Sequence, residues 1–321
     1  MRLDAPRIHL PVYTLERILF NQTLGRASNY DATIGFDLDG YRLAGRRGGP
    51  HVAALKGVIA DELRFESGMT QATMRVQARF EAAHVHRADA VFATSRYSAR
   101  MARDAYGLSE LPRIVPELID LSGWRRALES NPAEPDRSRF TVLTVARFYP
   151  RKRLTHLLQA AAQLRSRIPG LMVRVVGNGP ERARLFRLQR ELNLGPIVRF
   201  LGDVSRAELA AEYNRCDLFC LPSVQEGFGI VFLEAMAAGK PIVAARAAAV
   251  PEVVPHGILV EPDNPEALAG GIEQVYRSQE LRTRLGATGL QWVEQFDSPQ
   301  VAGLFLDEVR RVRGVAAARS A

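Results

Sequence analysis

Between Phe140 and Ala245 the chain repeats one pattern four times, a short apolar run and then a turn rich in glycine, proline or charge, and a fifth apolar run follows Gly239-Lys240. The runs are Phe140–Ala146, Leu171–Val176, Ile197–Leu201, Asp217–Pro222 and Pro241–Ala245. Helical spacing follows the first four, over Leu154–Ile168, Glu181–Asn193, Ser205–Arg215 and Ile230–Ala238. Nearly continuous apolar runs, rather than alternating ones, belong to strands covered on both faces, as in a parallel sheet. Strands alternating with helices at this spacing predict one doubly wound α/β sheet. In such sheets ligands bind at the carboxyl ends of the strands, so the turns after the runs are where chemistry is expected.

The turn after Asp217–Pro222 is the most specific. Glu226-Gly227-Phe228-Gly229-Ile230-Val231-Phe232-Leu233-Glu234 places two carboxylates eight positions apart across a glycine-rich strand-to-helix connection. A helix starting there aims unsatisfied N–H groups and a positive dipole end into the crevice, which suits an anion. Gly227 and Gly229 allow close backbone approach. Carboxylates beside a phosphate make sense when they accept hydrogen bonds from the hydroxyls of a flanking sugar and ribose. The matching cations follow the first run, in Arg147-Phe148-Tyr149-Pro150-Arg151-Lys152. Lysine occurs only at Lys56, Lys152 and Lys240 in a chain with 43 basic residues, so its use is selective. An ammonium is a compact point charge suited to a diphosphate. A solvated basic loop is the alternative reading. Gly177-Asn178-Gly179-Pro180 is a weaker signal, because Arg182 stands where a dinucleotide fingerprint has its third glycine.

The first half reads less clearly. Strands are expected at Tyr30–Gly35, Val52–Leu55 and Ala90–Ala93, with helices at Gly68–Arg87 and Ser98–Ala105. His51, His84 and His86 read as surface or half-buried histidines. Asp37 and Asp39 have the spacing of a metal-binding pair but are not read as one. Cys216 and Cys220 read as buried reduced thiols. A length of 321 residues and 47% hydrophobic content suit two domains, divided as 1–125, a linker at 126–139, 140–300, and a C-terminal helix and tail at 301–321. The net charge of +8 is spread along the chain, giving no basic tail and no nucleic-acid reading. No secretory segment or long apolar run is found, so a cytoplasmic protein is expected, with weak peripheral contact at the inner face of a membrane.

Taken in order, ARFYPRK, VVGNGP, FLGDV, LFCLPS, EGFGIVFLEAMAAGKPIV and PEVV resemble the nucleotide-binding half of family 4 glycosyltransferases, retaining enzymes of the GT-B fold. The resemblance implies two Rossmann-like domains facing across a cleft and transfer of a sugar from a nucleotide diphosphate sugar to a glycan or lipid-linked acceptor, as in polysaccharide biosynthesis. No metal and no further cofactor is implied. Position by position, it implies that Arg147 and Lys152 bind the diphosphate, and that Glu226 and the amides of Phe228, Gly229 and Ile230 hold the transferred sugar. Glu234 then holds the ribose, Gly177 borders the phosphate pocket and Val204 lies near the base. On the acceptor side Ser95 ends a strand near the cleft, and Lys56 stands where many members have a histidine. Arg153 replaces a usual glycine, and Glu117 and Leu118 replace asparagine and glycine before the linker. The family's opening strand, glycine-rich loop, helix and second strand have no counterpart before Ile8, so the N-terminal domain is expected to be incomplete and less stable or active. The competing readings are a non-catalytic remnant that binds nucleotide sugar, and another enzyme of this fold, such as a phosphorylase or epimerase.

Overall fold

The protein is described by a computed structural model covering residues 10–24, 30–46 and 49–320. It divides into two compact units. One takes residues up to Pro116 together with those from Ala302 onward, and the other takes Glu117–Val301. Residues 1–9, on which the expectation of an incomplete opening turned, lie outside the described ones.

The first unit carries a four-stranded parallel sheet in sequence order: β1 (Thr33–Phe36), β2 (His51–Leu55), β3 (Ala90–Ala93) and β4 (Arg113–Ile114). Three strands fall where expected; β4 and the helix Leu10–Leu24 were not anticipated. Two exposed residues make β4, too few to show a pattern. Asn21 of that helix accepts from the Gly40 amide (2.6 Å), and Arg17 pairs with Asp39 (2.6 Å), which gives the Asp37–Asp39 turn a structural use. The helix Ser298–Ser320 brings Phe305 against Phe92 with ring centroids 5.6 Å apart.

The histidine expectation is corrected here. His51 and His84 are almost completely buried, with their Nε2 atoms 2.7 Å apart. Protons in this chain can be assigned. The Asp37 carbonyl can only accept, so His84 Nδ1–H donates to it (2.6 Å). His84 Nε2 then accepts from His51 Nε2–H, and His51 Nδ1 accepts from the Thr33 hydroxyl (2.8 Å). Both rings are therefore neutral, and every nitrogen is satisfied. Burial, and then the neighbouring ring, pushes His51 down to about 4. Glu81 is also fully buried, accepting from the Ile59 amide (2.9 Å) and the Tyr106 hydroxyl, and burial pushes its carboxyl up to about 8. Sequence periodicity gave no sign of either group, because a histidine on an otherwise ordinary helix looks the same whether it faces solvent or a partner ring.

The second unit holds six parallel strands: β5 (Phe140–Val145), β6 (Leu171–Val176), β7 (Val198–Gly202), β8 (Leu218–Leu221), β9 (Ile242–Ala245) and β10 (Ile258–Val260). Their order, β10-β9-β8-β5-β6-β7, is that of the doubly wound dinucleotide-binding sheet. Five strands were expected. The sixth is the half-exposed Ile258–Val260, a three-residue run between Gly257 and Glu261-Pro262, too short to stand out by periodicity. Four of the five longer strands have largely buried sides, the edge strand β7 burying only Val198, and together with the helices they form one apolar core, including Cys216 and Cys220, whose thiols are buried and reduced. Residues 126–139 begin inside the helix Leu121–Ser130, which packs into this core through Leu121 and Trp124 and groups with the second unit. The division between units falls at Pro116 and Glu117.

Candidate active site

The chain leaves β5 in one direction toward β6 and β7 and returns to β8 on its other side, so the switch point lies between β5 and β8. The loops after these two strands are tied together. The Arg151 carbonyl accepts from the Val224 amide at 2.9 Å. That tie sets the lysine loop beside the glutamate loop, and Lys152 Nζ meets Glu226 Oε1 at 2.6 Å. The side chains keep only 14% and 8% of their exposure, so this ion pair is largely desolvated. From below, the Glu226 carbonyl accepts the Ala249 amide (3.3 Å) from the loop after β9.

Arg147 sits differently. Its neighbour Phe148 is buried and its backbone is pinned on both sides, Phe148 N–H to the Asn178 carbonyl (2.8 Å) and Glu181 N–H to the Phe148 carbonyl (2.9 Å). Arg147 is left exposed, with no side-chain hydrogen bond or ion pair among the described residues. The Gly177 turn makes this docking feasible: Gly177 has φ +114°, and a Cβ there would stand 2.0 Å from the Ala146 carbonyl oxygen. Its first duty is thus to seat the arginine loop. Val204 follows β7 and packs partly buried against the core.

The helix Ile230–Ala237 begins at Gly229, whose φ is +95° and where a Cβ would come within 2.7 Å of the buried Phe232 ring. Of the two glycines expected to matter, Gly229 carries the left-handed conformation, while Gly227 does not. Phe228 is buried edge to face against Phe296, and the Ile230 side chain is exposed. As the first helical residue, Ile230 has an amide with no intrahelical acceptor. Glu234, a turn further on, accepts from the Tyr213 hydroxyl at 3.1 Å. Burial raises its carboxyl above the usual range, against the opposing pulls of the Tyr213 hydrogen bond and the Arg206 charge. Tyr213, Trp124 and Arg206, whose guanidinium lies 5.7 Å over the Trp124 ring, went unanticipated. Tyr213 and Arg206 belong to the helix Arg206–Arg215 and Trp124 to the helix Leu121–Ser130, and no local pattern links either helix to Glu234.

The other two lysines have different settings. Lys240 caps the carbonyls of Asn214 and Cys216 at 3.0 and 2.8 Å, a structural task. Lys56 ends β2 exposed, its ammonium 5.3 Å from the Phe36 ring centroid. Ser95 is buried and caps the helix Arg96–Tyr106, accepting from the Ser98 amide at 3.0 Å, so its hydroxyl already has a structural role. Arg153, at the position where glycine is usual, has φ +52° and pairs with Asp263. The left-handed backbone explains the preference for glycine there.

What this arrangement can do chemically is bind an anion and a polyol side by side. Lys152 retains two N–H donors beyond Glu226, Arg147 is open to solvent, the Gly229 helix start adds amides, and the carboxylates of Glu226 and Glu234 accept hydroxyls.

Residues 126–292 match the family described as "Glycosyl transferases group 1". The GDP-mannose-dependent alpha-(1-6)-phosphatidylinositol monomannoside mannosyltransferase of Mycobacterium tuberculosis is 29% identical over 219 residues, 64% of this chain and 57% of that protein. The D-inositol 3-phosphate glycosyltransferase of Nocardioides is 35% identical over 190 residues, covering 54% and 42% of the two chains. This chain thus matches about half the length of these curated relatives. Among solved structures, sucrose-phosphate synthase from Thermosynechococcus elongatus superposes with a TM-score of 0.77 at 24% identity, over 98% of this chain and 83% of that one. Anabaena HepE in complex with UDP-glucose gives 0.72 at 23% identity, over 92% and 81%. These likenesses establish the expected GT-B fold of two parallel α/β units. With the family model covering more than half of its residues, the chain belongs to the glycosyl transferases group 1 family.

Proposed function

We propose that this protein transfers a glycosyl group from a nucleotide diphosphate sugar to an acceptor hydroxyl with retention at the anomeric carbon, in the synthesis of a glycan or envelope polysaccharide. The observation that carries the reading is the Lys152–Glu226 pair, set at the switch point beside the helix start at Gly229. The relatives named for GDP-mannose and the HepE complex with UDP-glucose support a donor of this class.

In this reading Arg147, Lys152 and the helix N-terminus beginning near Gly229 stabilise the charge that develops on the departing diphosphate, the term expected to dominate catalysis, while the amides of Phe228, Gly229 and Ile230 hold the transferred sugar. The bond from the anomeric carbon to the diphosphate oxygen breaks, the acceptor oxygen bonds to the same face, and the departing oxygen takes the acceptor proton. No protein nucleophile is needed. Glu226, paired with Lys152, orients the sugar hydroxyls; Glu234 receives the ribose, Gly177 seats the loop by the phosphates, and Val204 lies beside the base. Lys56 is the acceptor-side candidate. Ser95 is not assigned that task, because its hydroxyl caps a helix. The working location is the cytoplasm, with weak peripheral contact at the inner face of a membrane where the acceptor is lipid-linked.

Calorimetric titration with UDP-, GDP- and ADP-sugars, followed by product analysis with candidate acceptors, tests the proposal. Tight binding of one sugar nucleotide and an anomerically retained product are expected. Binding without transfer would reduce the protein to a nucleotide-sugar binder, phosphate-dependent turnover would make it a phosphorylase, and change of the donor alone would make it an epimerase.

A further inference from the structure

Glu234 is approached from two other helices. Tyr213, in the last turns of the helix Arg206–Arg215, is fully buried, and its hydroxyl lies 3.1 Å from both Glu234 Oε2 and the Val231 carbonyl. Trp124, in the helix Leu121–Ser130, is 2% exposed, and its indole N–H donates to the main-chain carbonyl of Glu234 at 3.1 Å. The two rings meet edge to face at 5.5 Å and 89°, and Tyr213 also stacks on Phe219 at 5.8 Å. Such packing leaves neither ring free to swing away. Glu234 is therefore anchored through its backbone carbonyl and one carboxylate oxygen, while Oε1 accepts no hydrogen bond among the described residues. A carboxylate fixed by one oxygen and open at the other is a preorganised acceptor.

We propose that Tyr213 and Trp124 are positioning residues that present Glu234 Oε1 to the ribose hydroxyls of the bound nucleotide, so that ribose selectivity depends on two aromatic residues that do not touch the ligand. This rests on the nucleotide-sugar site proposed above and adds to it the device that sets sugar-edge recognition. Tyr213 supplies the lateral constraint by hydrogen bonding, and Trp124 fixes the height of the helix turn that carries the carboxylate.

The test is calorimetric binding of UDP and GDP, and of their 2′,3′-dideoxy counterparts, to the full chain. The variants are Tyr213→Phe, Trp124→Phe, Glu234→Gln and the double variant Tyr213→Phe/Glu234→Gln. The wild-type protein is expected to prefer the ribonucleotide by at least about tenfold, as for hydrogen bonds to a charged acceptor. Tyr213→Phe should shrink that preference by about fivefold and Trp124→Phe by about threefold, with dideoxy affinity unchanged. Adding Tyr213→Phe to Glu234→Gln should change nothing further. Equal weakening of both nucleotide forms, leaving the ratio intact, would mean a merely structural role and overturn the proposal, as would a wild-type protein without ribose preference. Should Tyr213→Phe not fold, the Trp124→Phe ratio decides by the same criterion. A folded wild-type protein that binds none of the four nucleotides would instead remove the site reading itself, and this inference with it.

Discussion

The two units neutralise their buried ionisable groups by opposite means. In the second unit two buried carboxylates are ion-paired, Glu226 with Lys152 and Glu212 with Arg174 and Arg215, while the partly buried Glu234 is held by the neutral Tyr213 hydroxyl. In the first unit, His51 and His84 are satisfied by neutral hydrogen bonds, Glu81 accepts two neutral hydrogen bonds on Oε2 while its buried Oε1 has no partner among the described residues, and their protonation states are shifted to suit. Asp61, with Arg64 and Tyr97, is intermediate. Ion pairs can be partly remade by a charged ligand, whereas a neutral buried network responds to proton concentration. The second unit is thus built to answer a charged guest, and the first to hold its shape within a range of pH.

The sharpest way to break this contrast is Lys152→Ala. Turnover should fall by about 10²–10³-fold, as for loss of one group that stabilises transition-state charge. Unlike a surface lysine, its removal also leaves Glu226 without its partner in a nearly buried position, so unfolding free energy should drop by about 1–3 kcal/mol. The double variant Lys152→Ala/Glu226→Gln should regain most of that stability and none of the turnover. Denaturant titration beside steady-state kinetics reads both; full activity in the single variant would sink the assignment.

Next in size is Glu81→Gln. The Glu81 pKa is raised in the folded state, so the stability linked to its protonation is complete below about 4.5 and is lost as pH rises through about 8. The glutamine variant should therefore gain on the wild type between pH 5 and 9, on the order of 2 kcal/mol, visible as a rising difference in melting temperature. A difference that stays flat with pH would show that Glu81 is ionised in place.

The histidine pair runs the other way. Its folded pKa values are depressed, so its contribution is present above the unfolded value of 6.5 and is lost as pH falls toward about 4. Protonation would set N–H against N–H between the rings, although Asp37, Asp39 and Asp89 nearby soften the cost. In the Glu81→Gln background, which removes the opposing carboxyl, melting temperature should decline between pH 6.5 and 4 by the equivalent of about 1–2 kcal/mol. Histidine resonances that titrate near 6.5 would contradict it.

Smallest is Arg153→Gly. Relief of a left-handed backbone, about 1 kcal/mol, is offset by a lost exposed ion pair and by the added freedom of glycine in the unfolded chain. A net change within about 0.5 kcal/mol is expected, with activity unaltered.

How much of this was legible follows from how local each signal is. Continuous apolar runs announced five of the six strands in the second unit, and the glycines of the Gly177 and Gly229 turns announced tight backbone, as their φ values of +114° and +95° bear out. The rarity of lysine pointed to Lys152, yet the same argument left Lys240 without a role until its ammonium was seen on two helix-end carbonyls. Short elements escaped, as β4 and β10 show, because two or three residues carry no period. The pairing of His51 with His84 escaped because they lie 33 positions apart and meet only when a strand and a helix pack.

The sequence alone determined the doubly wound second unit and which side chains crowd its carboxyl edge, because strand burial and turn chemistry are written within a dozen residues. Only the tertiary structure decided which of those side chains touch. Lys152 meets Glu226 because β5 and β8 are neighbours at the switch point, and Glu234 is clamped by Tyr213 and Trp124 because three helices converge there. Contacts of that kind depend on packing between distant segments, which no local pattern encodes.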